Sequence, residues 1–184
     1  MIAAVEADLA FHGDAAEHVG IGVVCVAADW SESYAVNADL WSLPNGTGTT
    51  WRVMVSCLTL GLIAEVVDTT HGPGVVGIET TAGSYRVTVD GVQIASGTWP
   101  VQAWGLWGVS LTGSGLPGAT ANRYTTITPG SGGPVTYQWD SSGDLAGWQD
   151  VGKQAPQVIG GELQNTGGEP YRPGQYALWQ TFGP

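Results

Sequence analysis

Glycine and proline interrupt this chain so often that no long helix has room to form. There are 29 glycines and 10 prolines, and they are spread along the whole length of 184 residues. Each glycine costs a helix interior about 1 kcal/mol relative to alanine, and each proline about 3 kcal/mol. Tight turns use the same residues well, one for its access to φ > 0 and the other for its fixed φ. The intervening runs are short and rich in Val, Ile, Thr, Tyr and Trp, which suit a pleated, half-buried surface. Strands are expected near residues 2–11, 19–28, 34–40, 51–58, 63–68, 75–80, 84–89, 92–96, 105–111, 124–128, 135–139 and 175–181. Residues 14–18 have the composition of a helical turn, and 56–67 tolerate helix, but neither is amphipathic enough to compete.

The sharpest local signal is a hairpin. Tyr85, Val87 and Val89 alternate with Ser84, Arg86 and Thr88, so one face is apolar and the other polar. Asp90-Gly91 follows, and then Val92-Gln93-Ile94-Ala95. Asp-Gly between two such runs selects a two-residue turn with φ > 0 at both positions. The fold class that follows is all-β, an antiparallel β-sandwich of jelly-roll or immunoglobulin-like type. Gly/Pro-rich stretches at 113–118 and 129–134 mark a change in composition. Residues 1–112 read as the sandwich body, and 113–184 as its closing strands or as an arm for assembly.

Charge narrows the partners. Only 11 % of residues are charged, with 16 acidic against 5 basic, for a net charge of −11. So few cations cannot neutralise a phosphate backbone, which disfavours nucleic acid and anionic membrane surfaces. A surface this poor in charge is covered by small polar residues or by another protein, and a homo-oligomer is expected. Residues 1–8 lack a basic n-region, and acids interrupt their apolar run, so no secretory signal is expected there. No stretch of 18 uninterrupted apolar residues exists, and membrane insertion by a helix is not expected.

Residues with the right chemistry for catalysis or metal binding are scattered. His12, Asp14, Glu17 and His18 have metal-ligand types, but their spacing matches no ligand signature and they read as a solvated loop. Glu65 and Asp68 are three apart, which on a strand sends them to opposite faces. The Glu-x-Asp-x-Glu strand motif of carbohydrate-cleaving concanavalin-like jelly rolls is not found, nor a Gly-x-Ser-x-Gly elbow, nor a Gly-Lys-Ser/Thr phosphate loop. His71 lies in a turn by composition. Neither an enzymatic role, nor a bound cofactor, nor a metal site is expected. Cys25 and Cys57, both in apolar runs, are either two buried thiols or one inter-strand disulfide.

The nine tryptophans carry the most information about contacts. Trp99, Trp104 and Trp107 crowd into nine positions, with Trp148 and Trp179 further on. These five are the candidates for subunit-interface or glycan contact, since Trp anchors interfaces and its ring can stack on a sugar. Most of the nine are expected in the core or against a partner. Trp104 and Trp107, at odd spacing, would face opposite sides of a regular strand.

Two local resemblances follow from these residues. Gly77-Ile78-Glu79-Thr80 through Gly83-Ser84-Tyr85-Arg86-Val87-Thr88-Val89-Asp90-Gly91-Val92 resembles the central hairpin of concanavalin-like or laminin-G-like jelly rolls. Val135-Thr136-Tyr137-Gln138-Trp139, with Gly147-Trp148 and Gly174-Gln175-Tyr176, resembles bacterial immunoglobulin-like modules. Taken whole, the acidic, Gly/Trp-rich chain, in which no secretory signal is expected, resembles the small structural proteins of tailed bacteriophages infecting actinobacterial-type hosts. That resemblance implies a virion component, a minor tail protein of the tip or fibre region or a capsid decoration protein. Its partners would be other virion subunits, with host surface glycan as a further contact. A carbohydrate-binding, lectin-like module is the alternative function, and a glycan-processing enzyme is a third, which would need two carboxylates converging in a cleft.

Overall fold

A computed structural model describes residues 3–12, 16–29, 31–43, 47–81, 83–99, 104–130, 132–166 and 174–181. The described residues form two packed antiparallel sheets, so the all-β sandwich expected from the sequence is the observed architecture. The strands are β1 (Ala3–Phe11), β2 (Ala16–Ala27), β3 (Ser33–Ser42), β4 (Thr49–Cys57), β5 (Gly61–Asp68), β6 (Gly74–Thr80), β7 (Ser84–Val89) and β8 (Val92–Thr98). They continue as β9 (Trp104–Gly115), β10 (Thr120–Thr128), β11 (Val135–Tyr137), β12 (Gln149–Asp150), β13 (Gln157–Ile159), β14 (Glu162–Gln164) and β15 (Gly174–Thr181). One 3-10 turn, Ser142–Leu145, is closed by a capping box between Ser141 and Asp144.

Sheet A runs β13-β14-β10-β1-β6-β7-β8, with β11 also paired to β10; sheet B runs β12-β15-β9-β2-β3-β4-β5. Residues 113–184 supply β10 to β15, and β10 lies against β1 in the middle of sheet A. Residues 16–18, whose composition also suits a helical turn, open β2, which starts at Ala16.

Alternation decides what is buried. Val5, Ala7 and Leu9 of β1 face Val19, Ile21 and Val23 of β2 across the sandwich, all essentially inaccessible to water. Trp51, Trp99 and Trp139 are the largest side chains sealed in this core. The Asp90-Gly91 turn has φ of 49° and 78°, as its sequence dictates. Its Asp90 carboxylate also accepts the backbone N–H of Val75 at 2.9 Å, tying the turn to β6.

Cys25 and Cys57 are buried free thiols. Both pair with Tyr34 from opposite sides, so a whole strand separates them. Two strand spacings come to about 9.6 Å, beyond the reach of a disulfide.

Candidate functional site

The outer face of sheet A is the polar one. Residues facing solvent along β1 are Ala4, Glu6 and Asp8, alternating with the buried Val5, Ala7 and Leu9. The register lines up two rows across neighbouring strands. Thr126, Glu6, Gly77 and Thr88 form the first; Thr128, Ala4, Glu79 and Arg86 form the second. Ala4 and Gly77 have little or no side chain, and the taller neighbours leave a depression over them. It holds about 240 Å³ and is lined by Ala4, Val5, Glu6, Gly77, Glu79, Thr88, Thr126 and Thr128.

Each carboxylate at this face is held by a partner. The Tyr124 hydroxyl donates to Glu6 Oε1 at 2.9 Å. Burial, then this bond and the charges of Glu6 and Asp8, push the Tyr124 hydroxyl up to about 12. Arg86 Nη2 donates to both oxygens of Glu79 at 2.8 Å. Glu6 and Glu79 are diagonal neighbours on adjacent strands, which places their backbones ~7–8 Å apart on either side of Gly77.

A second cluster adjoins the first where β10 bulges. Asp8 pairs with Tyr124 and Leu9 with Asn122, so Arg123 is the extra residue. The bulge frees its guanidinium to reach sideways. It donates to Asp8 at 3.3 Å and, through Nε, to Glu162 at 3.3 Å. His12 Nε2 donates to the other Glu162 oxygen at 2.5 Å, and Gln164 adds a bond at 3.0 Å. Burial alone would raise Glu162, but the hydrogen bonds from His12, Gln164 and Arg123 outweigh it and hold the carboxyl below its usual range. In chemical terms the face offers ionised acceptors, two guanidinium groups and several hydroxyls around a shallow basin. Such a set can bind hydroxyl-rich ligands.

The outer face of sheet B is built differently. Gly20 and Gly22 leave a bare strip on β2, and side chains from the neighbours lie down on it. A Cβ at Gly20 would sit 1.8 Å from Asp39 Oδ1, and one at Gly22 would sit 2.1 Å from Asn37 Oδ1. Asp39 is thereby almost wholly buried, with the Thr112 hydroxyl at 3.4 Å as its hydrogen-bond donor. Burial, only partly offset by that bond, pushes its carboxyl up to about 6. Nearby, His18 stacks on Trp41 with ring centroids 4.7 Å apart and donates Nδ1–H to Ser114 Oγ at 2.9 Å. Ser114 in turn donates to Glu17 at 2.9 Å.

The residues singled out from sequence are distributed as follows. His12 joins Glu162 on sheet A, whereas Glu17 and His18 belong to sheet B, so the four-residue metal-type set does not assemble; Asp14 lies outside the described residues. Glu65 approaches Arg52 at 3.6 Å, while Asp68 binds Thr70 and His71, and the two acids do not converge. Trp99, Trp107 and Trp148 are buried, Trp99 donating Nε1–H to the Thr81 carbonyl at 2.9 Å. The side chains of Trp104 and Trp179 lie outside the described residues. Tyr137, Trp139 and Trp148 form one aromatic cluster, with Tyr137 and Trp139 stacked at 5.5 Å and Trp148 edge-on to Tyr137 at 5.4 Å. The Tyr-x-Trp pattern therefore marks packing between the C-terminal strands and the body.

Glu6, Glu79, Tyr124 and Glu162 were not legible as a site. Glu6-Ala7-Asp8 was the one available clue: two acids at i and i+2 of a strand must share a face.

No protein-family model matches the chain, and no curated protein matches it. Among solved structures it is similar to the kappa-carrageenase from Pseudoalteromonas carrageenovora, solved in complex with an oligotetrasaccharide of kappa-carrageenan. Identity is 8 % and the TM-score 0.43, covering 98 % of this chain and 64 % of that one. The chain thus spans less than two thirds of the carrageenase. The expectation of a protein with no enzymatic role is corrected here, since the similar solved chain is an enzyme. A likeness at this level transfers neither residues nor substrate.

Proposed function

We propose that the protein contacts a neutral glycan on the outer face of sheet A, with the saccharide seated over Ala4 and Gly77. The observation that carries this is the basin itself, bare at the floor and ringed by Glu6, Glu79, Thr88, Thr126 and Thr128. Carboxylates held ready as acceptors and hydroxyls that both donate and accept are what a ring of sugar hydroxyls requires. The net charge of −11, with Asp8 and Glu162 beside the basin, repels sulfated or uronic-acid polymers. A site with defined walls favours the sugar-contact alternative over the virion subunit that the style of the sequence suggested. The diagonal spacing of Glu6 and Glu79 is also of the order that glycoside-cleaving carboxylate pairs need.

The test is a panel of neutral and anionic oligosaccharides read by calorimetry for binding and by chromatography for product release. Binding of at least one neutral glycan, lost in Gly77→Val, is the expected result. A Cβ at Gly77 already comes within 3.0 Å of Thr88 Oγ1, so the branched side chain fills the floor. A preference for sulfated glycans, or binding unchanged by Gly77→Val, overturns the proposal.

A further inference from the structure

We infer that β5 is a dimerisation edge at which a second copy of this chain adds its own β5 antiparallel, making one continuous sheet from two copies of sheet B. Strand β5 is the terminal strand of sheet B, so among the described residues one side of its backbone pairs with no other strand. Six large apolar residues gather there: Leu58, Leu60, Leu62, Ile63, Val66 and Val67 are 71, 78, 57, 43, 36 and 54 % exposed. The terminal strands of the two sheets, β5 and β8, touch at this end of the sandwich. Strand β5 holds no proline or lysine, two of the devices that blunt edge pairing; what protection it has is Glu65, which lies against Arg52, and a bulge at Ile63.

Three observations select a second copy as the occupant. The first is area: the six residues, two in the turn before β5 and four on the strand, leave roughly 600 Å² open per chain, so two chains hold at most about 1,200 Å² for a shared interface, the lower end of the range for specific interfaces. The second is charge. Two molecules of net charge −11 repel, yet Glu65, the acid in the middle of this edge, has Arg52 at 3.6 Å, and Asp68 at its end is engaged by Thr70 and His71 of its own chain. The third is geometry. Antiparallel pairing of identical strands closes on a twofold axis and does not propagate into a fibre. It also leaves the outer face of sheet A open, so the dimer and the glycan site are independent.

The experiment is light scattering coupled to size exclusion from about 5 to 200 µM, on wild type, on Ile63→Lys/Val67→Lys, and on Val151→Lys. Val151 is equally exposed but lies away from this edge, in the link that follows β12. Wild type and Val151→Lys should show twice the chain mass at the upper concentrations, while the double variant should dimerise at least tenfold more weakly. Amide exchange over residues 61–68 should also slow with concentration in wild type, which keeps the test valid if the double variant folds poorly. A monomeric wild type across the range, a dimer that survives both lysines, equal weakening by Val151→Lys, or concentration-independent exchange over 61–68 would each overturn the inference.

Discussion

Replacing Asp39 by asparagine should stabilise the protein at neutral pH, and the gain should vanish in acid. Asp39 lies on the bare backbone of Gly20 with Thr112 as its donor, and burial raises its carboxyl to about 6. In the unfolded chain the same group titrates near 3.9. A carboxyl whose folded value is raised holds its proton more tightly when folded. Its contribution to stability is therefore complete below about pH 4 and is lost as pH rises through about 6. Two pH units at 1.36 kcal/mol each put the loss at roughly 3 kcal/mol by pH 7. Asparagine keeps the acceptor for Thr112 and has no charge to bury, so it escapes that loss. For a chain of this length, 3 kcal/mol corresponds to about 6–12 °C in Tm. The assay is thermal unfolding of both proteins at half-unit steps from pH 4 to 7.5, taking the difference so that other titrating groups cancel. A difference that widens with pH and levels off above about 6.5 is expected. A difference that is flat with pH, or that narrows as pH rises, refutes the reasoning.

Other outcomes follow from the same packing. Asn165 is buried and makes four hydrogen bonds, donating to the carbonyls of Gly115 and Leu116 at 2.8 and 2.7 Å and accepting from Thr120 N–H and hydroxyl at 3.0 and 2.9 Å. Asn165→Ala orphans those groups and should destabilise by about 3 kcal/mol or more in chemical denaturation. Cys25 and Cys57 should resist a thiol reagent in the folded protein and titrate as two free thiols in denaturant, because burial pushes the Cys25 thiol up strongly. Glu162, held low by His12, Gln164 and Arg123, contributes stability that is present above the unfolded carboxyl value and lost as pH falls through the folded one. Glu162→Gln should therefore lose less stability than wild type between about pH 5 and 3, measured by urea midpoints.

Much of the fold was legible because strands and turns are local. Runs such as Val53-Met54-Val55 and the Asp90-Gly91 pair specify pleat and turn without reference to anything distant. Strands β12, β13 and β14 escaped because two or three residues carry no periodicity. Their positions depend on contacts such as Leu163 packing into the core and Asn165 capping the start of β10. The site was less legible. Glu6, Glu79, Tyr124 and Glu162 come from four strands, and only the register brings them to one face. Tryptophan drew attention because it is abundant, but abundance does not tell a core ring from an exposed one. Trp107 is sealed in the core, and Trp41 lies on the outer face of sheet B against His18. The features that define the basin are small residues, Ala4 and Gly77, whose importance is the space they leave.

The most direct test of the glycan surface is an amide chemical-shift titration of the ¹⁵N-labelled protein with the best neutral oligosaccharide from the panel. The shifts should concentrate on Ala4, Glu6, Gly77, Glu79, Thr88 and Thr126 and leave the outer face of sheet B, around Gly20 and Trp41, unmoved. Shifts centred on sheet B, or none at saturating saccharide, would contradict the account.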